Sequence, residues 1–478
     1  MSPALSSVAN HFQVSLSLAS WVMTAYMVSG AVMTVIMGRL SDLVGAKKML
    51  MLMMMCFAVG TILAPFSRDV YTLFAIRALQ GIAVASTPIS TKVIRDQFPK
   101  GKFAVGMGIY LSSYSGGMAL GGVLGPSIAA GAGWQGLFYF TAPIAVILTF
   151  VCWRFIHTDE TKKIHEHGDT VIDKHLLDSR HRDFPTKAQK QPKRQRLDFM
   201  GIITMTVTLV SFLIAITFSG SIATNFTSFV VPLVVGIIFL IIFIIVEKRV
   251  KAPLINLKLV FHPVIFTGNI MMLMFGIVQY FIITGIPQLG SAPPPSGLGL
   301  DPTHTGLLQL AFGLSMMIFG PVFGLLIGKR KGLNTKLLVP GILISAISFL
   351  LLTLFHSTSQ AVNGGLFLFG IAGALLPLTL NNTNISFTPK EYTGISSAAT
   401  NMMRIVGGAI GPVMVTVILS SITISVTVNG TEGTYPSPEA FNIMFGAGLV
   451  MLVASVILGI RMKRLASRMV PLTAKDIA

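Results

Sequence analysis

Thirteen apolar runs constrain what this 478-residue chain can become, because each is about the length at which roughly 20 residues cross a bilayer core as a helix. They fall near 18–38, 49–66, 71–94, 104–127, 135–156, 199–219, 228–246, 263–286, 304–328, 337–355, 361–381, 395–424 and 440–460. The runs are continuous rather than alternating, which excludes the strands of a membrane β-barrel. Hydrophobic residues make up 53% of the chain and charged ones 11%, against roughly 25% in soluble domains. Mean hydropathy is +0.77. The fold class is therefore an all-α membrane protein.

The net charge of +18 would suit a nucleic-acid ligand, but its distribution points elsewhere. Assigning alternate loops to one side gathers 32 of the 35 Lys and Arg there, with Arg68 alone on the other side and Arg77 and Arg404 inside apolar runs. Cytoplasmic loops carry that excess. The rule predicts a multi-pass protein of the cell membrane with its C-terminus cytoplasmic, residue 1 outside, and no nucleic-acid partner. Cys56 and Cys152 lie in separate runs and read as small buried apolar residues. No cleavable signal peptide is evident.

The chain also repeats itself. Gly121-Gly-Val-Leu-Gly125-Pro126 returns as Gly407-Gly-Ala-Ile-Gly411-Pro412, 286 positions later. Gly81-Ile-Ala with Pro88 is echoed by Gly370-Ile-Ala with Pro377, and Gly38 by Gly324 ahead of Lys329-Arg-Lys. Two similar bundles can rock about a central site, so such repeats point to a secondary transporter. The expected organisation is an N-terminal bundle over 1–156, a disordered basic loop over 157–198, two additional helices over 199–246, a C-terminal bundle over 247–460 and a cytoplasmic tail over 461–478. The repeat leaves the run at 263–286 without a first-half partner. It thus predicts an apolar segment of about 20 residues ahead of Met1, bearing an acidic group, with residues 1–12 as its outer end; a native thirteen-span protein is the alternative.

Segment 157–198 mixes acids and bases without apolar periodicity and reads as a tether. Its five His (157, 165, 167, 175, 181) lack ligand spacing and companion Cys, so no metal and no cofactor is expected. Asn225-Phe-Thr and Asn429-Gly-Thr are glycosylation-type sequons on outer loops.

Several constellations carry mechanism. Gly38-Arg-Leu-Ser-Asp42-Leu-Val-Gly45-Ala-Lys47-Lys48 joins two runs on the basic side, and its lone acid suits a conformational latch. Arg77 and Gln80 lie one helical turn apart, and a buried Arg must face the bundle interior or water, since lipid would cost about 2.5–3.5 kcal/mol on insertion scales. Gly117, Gly121 and Gly125, every fourth residue before Pro126, make a side-chain-free groove for close helix approach and a bend. In the second half Asn401 and Arg404 adjoin Gly407, Gly411 and Pro412. Tyr26, Gln279, Tyr280, Asn381 and Asn382 are further polar candidates for substrate contact, although membrane helices also use such residues for packing.

Taken together, these motifs resemble the major facilitator superfamily and, within it, the fourteen-helix drug:proton antiporter branch. The Gly38–Lys48 loop resembles its signature loop and Arg77-Ala-Leu-Gln80-Gly81 its fourth-helix arginine motif. Gly121–Pro126 resembles its antiporter motif, and Asn401…Arg404…Gly407-Gly408 with the two added central helices resembles the branch. The resemblance implies two pseudo-symmetric six-helix bundles plus two helices. It also implies proton-coupled export of drugs or small amphipathic metabolites, by a chain that functions as a monomer in contact with membrane lipid. The chain departs from the pattern at Ser112, at Ala129-Ala130, and at Gly328, which stands where Asp42 would have its counterpart.

None of the 17 Asp and Glu sits mid-run. Either the upstream segment supplies the proton carrier, or Asp301, near the outer mouth, does, or the coupling is of another kind. Two other readings compete with drug export: carriage of an anionic metabolite, motivated by Arg77 and Arg404, and an uncoupled channel. An enzyme would need convergent acids, His or nucleophiles, which this distribution opposes. No Gly-x-x-x-x-Gly-Lys-Ser/Thr loop supports ATP drive.

Overall fold

The computed structural model describes residues 5–14, 16–99, 102–156, 199–218, 226–250, 257–330, 332–389, 392–428 and 431–472. The 157–198 tether and both sequon asparagines lie outside the described residues, as do the side chains of Asp42 and Pro126.

Eleven stretches among the described residues are long and apolar enough to cross a membrane. The two remaining apolar runs, 104–127 and 199–219, fall on the first limb of α6 and on α7. In the first half, α1 (Leu5–Phe12) precedes α2 (Leu16–Val44), α3 (Ala46–Leu63), α4 (Val70–Gly81) and α5 (Ser86–Gln97). A 3-10 turn over Ile82–Ala85 joins α4 to α5 into one span. The 53-residue α6 (Phe103–Phe155) breaks at Gly133, whose φ of 66° is left-handed, giving two limbs.

The loop read over Gly38–Lys48 is shorter in the structure, because α2 stays helical through Asp42 to Val44 and α3 resumes at Ala46. The turn is a single residue, Gly45, at φ 109°, a conformation that side chains resist. Ser41, whose hydroxyl donates to the Gly38 carbonyl at 2.7 Å, is accommodated inside the helix.

Next come α7 (Phe199–Phe218), α8 (Phe226–Arg249) and the short α9 (Leu257–Val260). The second half holds α10 (Pro263–Ser291), α11 (Pro302–Lys329), α12 (Leu333–Leu354), α13 (Ser359–Ser386), α14 (Thr393–Ser421) and α15 (Pro438–Arg468). Between α14 and α15 lies an antiparallel hairpin, β1 (Thr423–Val428) and β2 (Thr431–Pro436), pairing Thr423 with Pro436 and Val428 with Thr431. The apolar-run reading missed it. Alternation in Thr-Ile-Ser-Val-Thr-Val and the Asn429-Gly430 pair are its signal, hidden by the adjoining helix.

The second half owns the largest core. Phe369 sits at its centre, with ring centroids 6.1 Å from Phe275, 5.6 Å from Phe312 and 5.4 Å from Phe349, so α10, α11, α12 and α13 meet on one aromatic cluster. Apolar lipid gives no driving force for burying such rings, so close packing of this kind holds the helices together. The halves meet along two seams, α6 with α11 and α2 with α14. The two added helices cover the second seam: Met205 and Leu209 of α7 and Phe243 of α8 pack with Val32 of α2 and Met402 of α14.

Candidate functional site: a cavity between the halves

Backbone contact defines the seams. A methyl group placed on Gly108 would strike the Gly320 carbonyl, and one on Gly306 would lie 2.7 Å from the Gly122 carbonyl. α6 and α11 therefore touch near both ends. At the basic end of the bundle, α5 and α14 also interlock: Arg95 hydrogen-bonds Thr393, and Ser397 donates to Thr91 at 3.1 Å. Lys92 donates to the Ser41 carbonyl of α2 at 2.6 Å, and a methyl group on Gly38 would lie 2.7 Å from the Ala398 Cβ.

Between these contacts lies a cavity of about 40 Å³, room for a few water molecules. Its first-half wall carries Thr87, Tyr110 and Tyr114, and its second-half wall carries Gln279, Asn381, Thr400, Asn401 and Arg404. The Arg404 guanidinium donates from Nη2 to Asn401 Oδ1 at 3.1 Å and lies 5.5 Å from the Tyr114 ring across the seam. Gln279, Asn381 and Asn401 are 2%, 6% and 3% exposed, and each has one amide atom without a protein partner. Buried polar atoms in that state suit water or a ligand.

The sequence paired Arg77 with Arg404 as cavity cations, but their placements differ. Arg77 lies inside the first half, donating to the Val22 carbonyl at 3.2 Å and to Gln80 Oε1 at 2.7 Å, with its guanidinium 4.4 Å from the Tyr26 ring. Gln80 passes the chain on to Thr61 at 2.9 Å. These residues tie α4 to α2 and α3 and do not line the cavity. A cysteine at 404 should therefore react with a small water-soluble thiol reagent, while one at 77 should react at least tenfold more slowly. Equal labelling would contradict this placement.

The remaining residues separate by role. Gly407, Gly408 and Gly411 seat α10: a methyl group on Gly407 would lie 3.1 Å from Gly276 Cα, and one on Gly411 would lie 2.7 Å from Tyr280 Cβ. Tyr280 is thus a packing surface for the repeated glycine block, with Pro412 just beyond it. The first copy is different, for no described atom lies within 4 Å of a methyl group on Gly117, Gly121 or Gly125. Asn382 is 8% exposed with both amide atoms unpartnered, but it is not in the cavity lining. Gly45, Lys47 and Lys48 stand at the basic end beside the α2–α3 turn.

Sequence reasoning missed Tyr110, Tyr114 and Thr87, and also a buried network in which Thr400 and Asn384 bond each other at 2.9 Å and both bond Asn269 Oδ1. The signal was present as spacing. Tyr110 and Tyr114 are four apart, as are Thr400 and Arg404, each pair on one helix face.

Two helical halves, backbone contact at their seams and, among the described residues, a cavity lined from both with polar side chains in its walls are the plan of a membrane transporter. The Major Facilitator Superfamily model matches residues 1–191 and 188–412, and the chain belongs to that family. It is 24% identical over 411 residues to the multidrug transporter protein MdtP of Bacillus subtilis (strain 168), covering 85% of this chain and 69% of that protein. It is 24% identical over 439 residues to multidrug resistance protein 3 of the same organism, covering 90% and 75%. Puromycin resistance protein pur8 of Streptomyces alboniger is 25% identical over 481 residues, covering 94% and 85%. The solved human organic anion transporter MFSD10 (TETRAN) superposes with a TM-score of 0.57 at 13% identity, over 95% of this chain and 88% of that one, a likeness of fold alone.

Proposed function

We propose that the chain exports drugs or small amphipathic metabolites across the cell membrane by alternating access, driven by inward proton movement. In this reading the bundles are residues 1–156 and 247–460, joined through the 157–198 tether and the added helices over 199–246. The basic end and C-terminus face the cytoplasm, and the protein works as a monomer among lipid. The observation that supports it most is the cavity whose walls come from both halves, since a rocking motion would expose such a site to each side in turn. The multidrug and resistance names of its relatives support the substrate class.

The α5–α14 hydrogen bonds, with the close approach of Gly38 on α2 to Ala398 on α14, suit a gate closed toward the cytoplasm. Asp42, in the last turn of α2 beside that gate, is the proposed latch. Asp42→Asn should leave abundance near normal while slowing turnover several-fold, and a wild-type rate in that variant would end the idea. Asp301 is poorly suited to load protons. It caps α11, and the His304 backbone N–H, then the His304 ring, hold its carboxyl below the usual carboxylate range, so it stays ionised near neutral pH. The direct test is transport in proteoliposomes with and without an imposed pH gradient. Acceleration by the gradient supports antiport, counterflow without it indicates an uncoupled carrier, and absence of counterflow indicates a channel.

A further inference from the structure

Building on the exporter reading, we infer that the central cavity selects anionic amphipaths, such as aromatic carboxylates or sulfonates, and disfavours organic cations. Among the described residues that line the cavity, Arg404 is the charged side chain and none is a carboxylate. Its Nε and Nη2 both turn to the neutral oxygen of Asn401, at 3.4 and 3.1 Å, so its charge has polar contacts there and no counterion among the described residues. A guanidinium has five N–H donors in a planar fork that matches a carboxylate or sulfonate. The unpartnered amide atoms of Gln279, Asn381 and Asn401 surround the same space, and an amide supplies a donor or an acceptor to whatever is bound.

The aromatic requirement comes from the rest of the wall. Tyr110, Tyr114 and Phe275 give flat faces and Met107, Met272 and Met316 give deformable ones, a lining that would accept varied ring systems once the halves part and widen the roughly 40 Å³ space. Charge then decides among ligands of similar shape. A unit charge about 7 Å from Arg404, at an effective dielectric of about 20, changes affinity by roughly 50-fold, for an anion upward and for a cation downward.

The test uses two dyes on one xanthene frame, anionic carboxyfluorescein and cationic rhodamine 123. Binding is read by fluorescence anisotropy on the 478-residue chain in lipid nanodiscs, and export in proteoliposomes. Wild type should bind carboxyfluorescein at least tenfold more tightly and move it faster. Arg404→Gln should bring the two affinities within threefold, Arg404→Lys should keep the preference, and Gln279→Glu should lower carboxyfluorescein affinity at least tenfold. If Arg404→Gln does not fold, the Gln279→Glu comparison carries the test. Tighter binding of rhodamine 123 by wild type, or a ratio unmoved in folded Arg404→Gln or Gln279→Glu, would overturn the inference. Charge-selective binding without movement of either dye would uphold it and count against the exporter reading instead.

Discussion

Leucine at Gly407 is expected to remove most of the folded protein, whereas leucine at Gly121, its counterpart 286 residues earlier, should leave folding nearly unchanged. The two glycines occupy the same place in the repeated six-residue block. At Gly407 the space for a side chain is filled by the backbone of α10: the Leu273 carbonyl, the Ile277 nitrogen at 2.9 Å and the Gly276 Cα at 3.1 Å. Backbone cannot move aside as a flexible side chain can. The helices must separate, and the Phe275–Phe369 contact that α10 brings to the core is lost with them. Overpacking costs about 1–3 kcal/mol when neighbours relax, and this site should lie at or beyond the upper end. At Gly121 no described atom stands within 4 Å of the added group. Thermal unfolding in detergent, followed by size-exclusion fluorescence, compares Gly407→Leu, Gly411→Leu, Gly121→Leu and Gly125→Leu. Equal losses in all four would show that the first copy is packed as tightly as the second.

The second large effect is expected at Arg77. Arg77→Gln removes a charged donor from the Val22 carbonyl and from Gln80, together with the contact over Tyr26. Hydrogen bonds to charged groups contribute about 1.5–3 kcal/mol each, and a desolvated cation–π contact about 2. New bonds from the glutamine amide would offset part of this, leaving a loss on the order of 3 kcal/mol. Gln80, 1% exposed, would then have Thr61 as its remaining described partner. Arg77→Lys should rescue only in part, because an ammonium cannot reach the carbonyl, Gln80 and the ring in one planar arrangement. A lower unfolding midpoint in Arg77→Gln, with transport per folded molecule largely retained, is the expected result. Unchanged stability with abolished transport would instead make Arg77 part of the transport cycle.

These two results bear on how function divides between the arginines. Both are cations within apolar helices, and composition treats them alike. Tertiary packing gives Arg77 partners from α2 and α4 inside one half, and gives Arg404 a place on the wall shared by both halves. A change at the first should therefore register in stability, and a change at the second in ligand choice.

Much of this protein was legible from the chain alone. Apolar runs of bilayer length determined the helices, because a backbone in hydrocarbon must satisfy its own hydrogen bonds within each segment. Glycine spacing and the 286-residue repeat determined the family resemblance and the two-half plan. What only the tertiary structure decided is which repeated element is packed, which polar residues converge, and which of two equivalent-looking cations meets the cavity. Gly121 and Gly407 read identically, yet Gly407 lies against the α10 backbone, while no described atom lies within 4 Å of a methyl group placed on Gly121. Tyr114 and Arg404 are 290 positions apart and meet across the seam between the halves. Helix formation is dictated by residues within a few positions of one another, so a sequence displays it. Contacts across a seam depend on the rotation and depth of two separate helices, which no local pattern specifies.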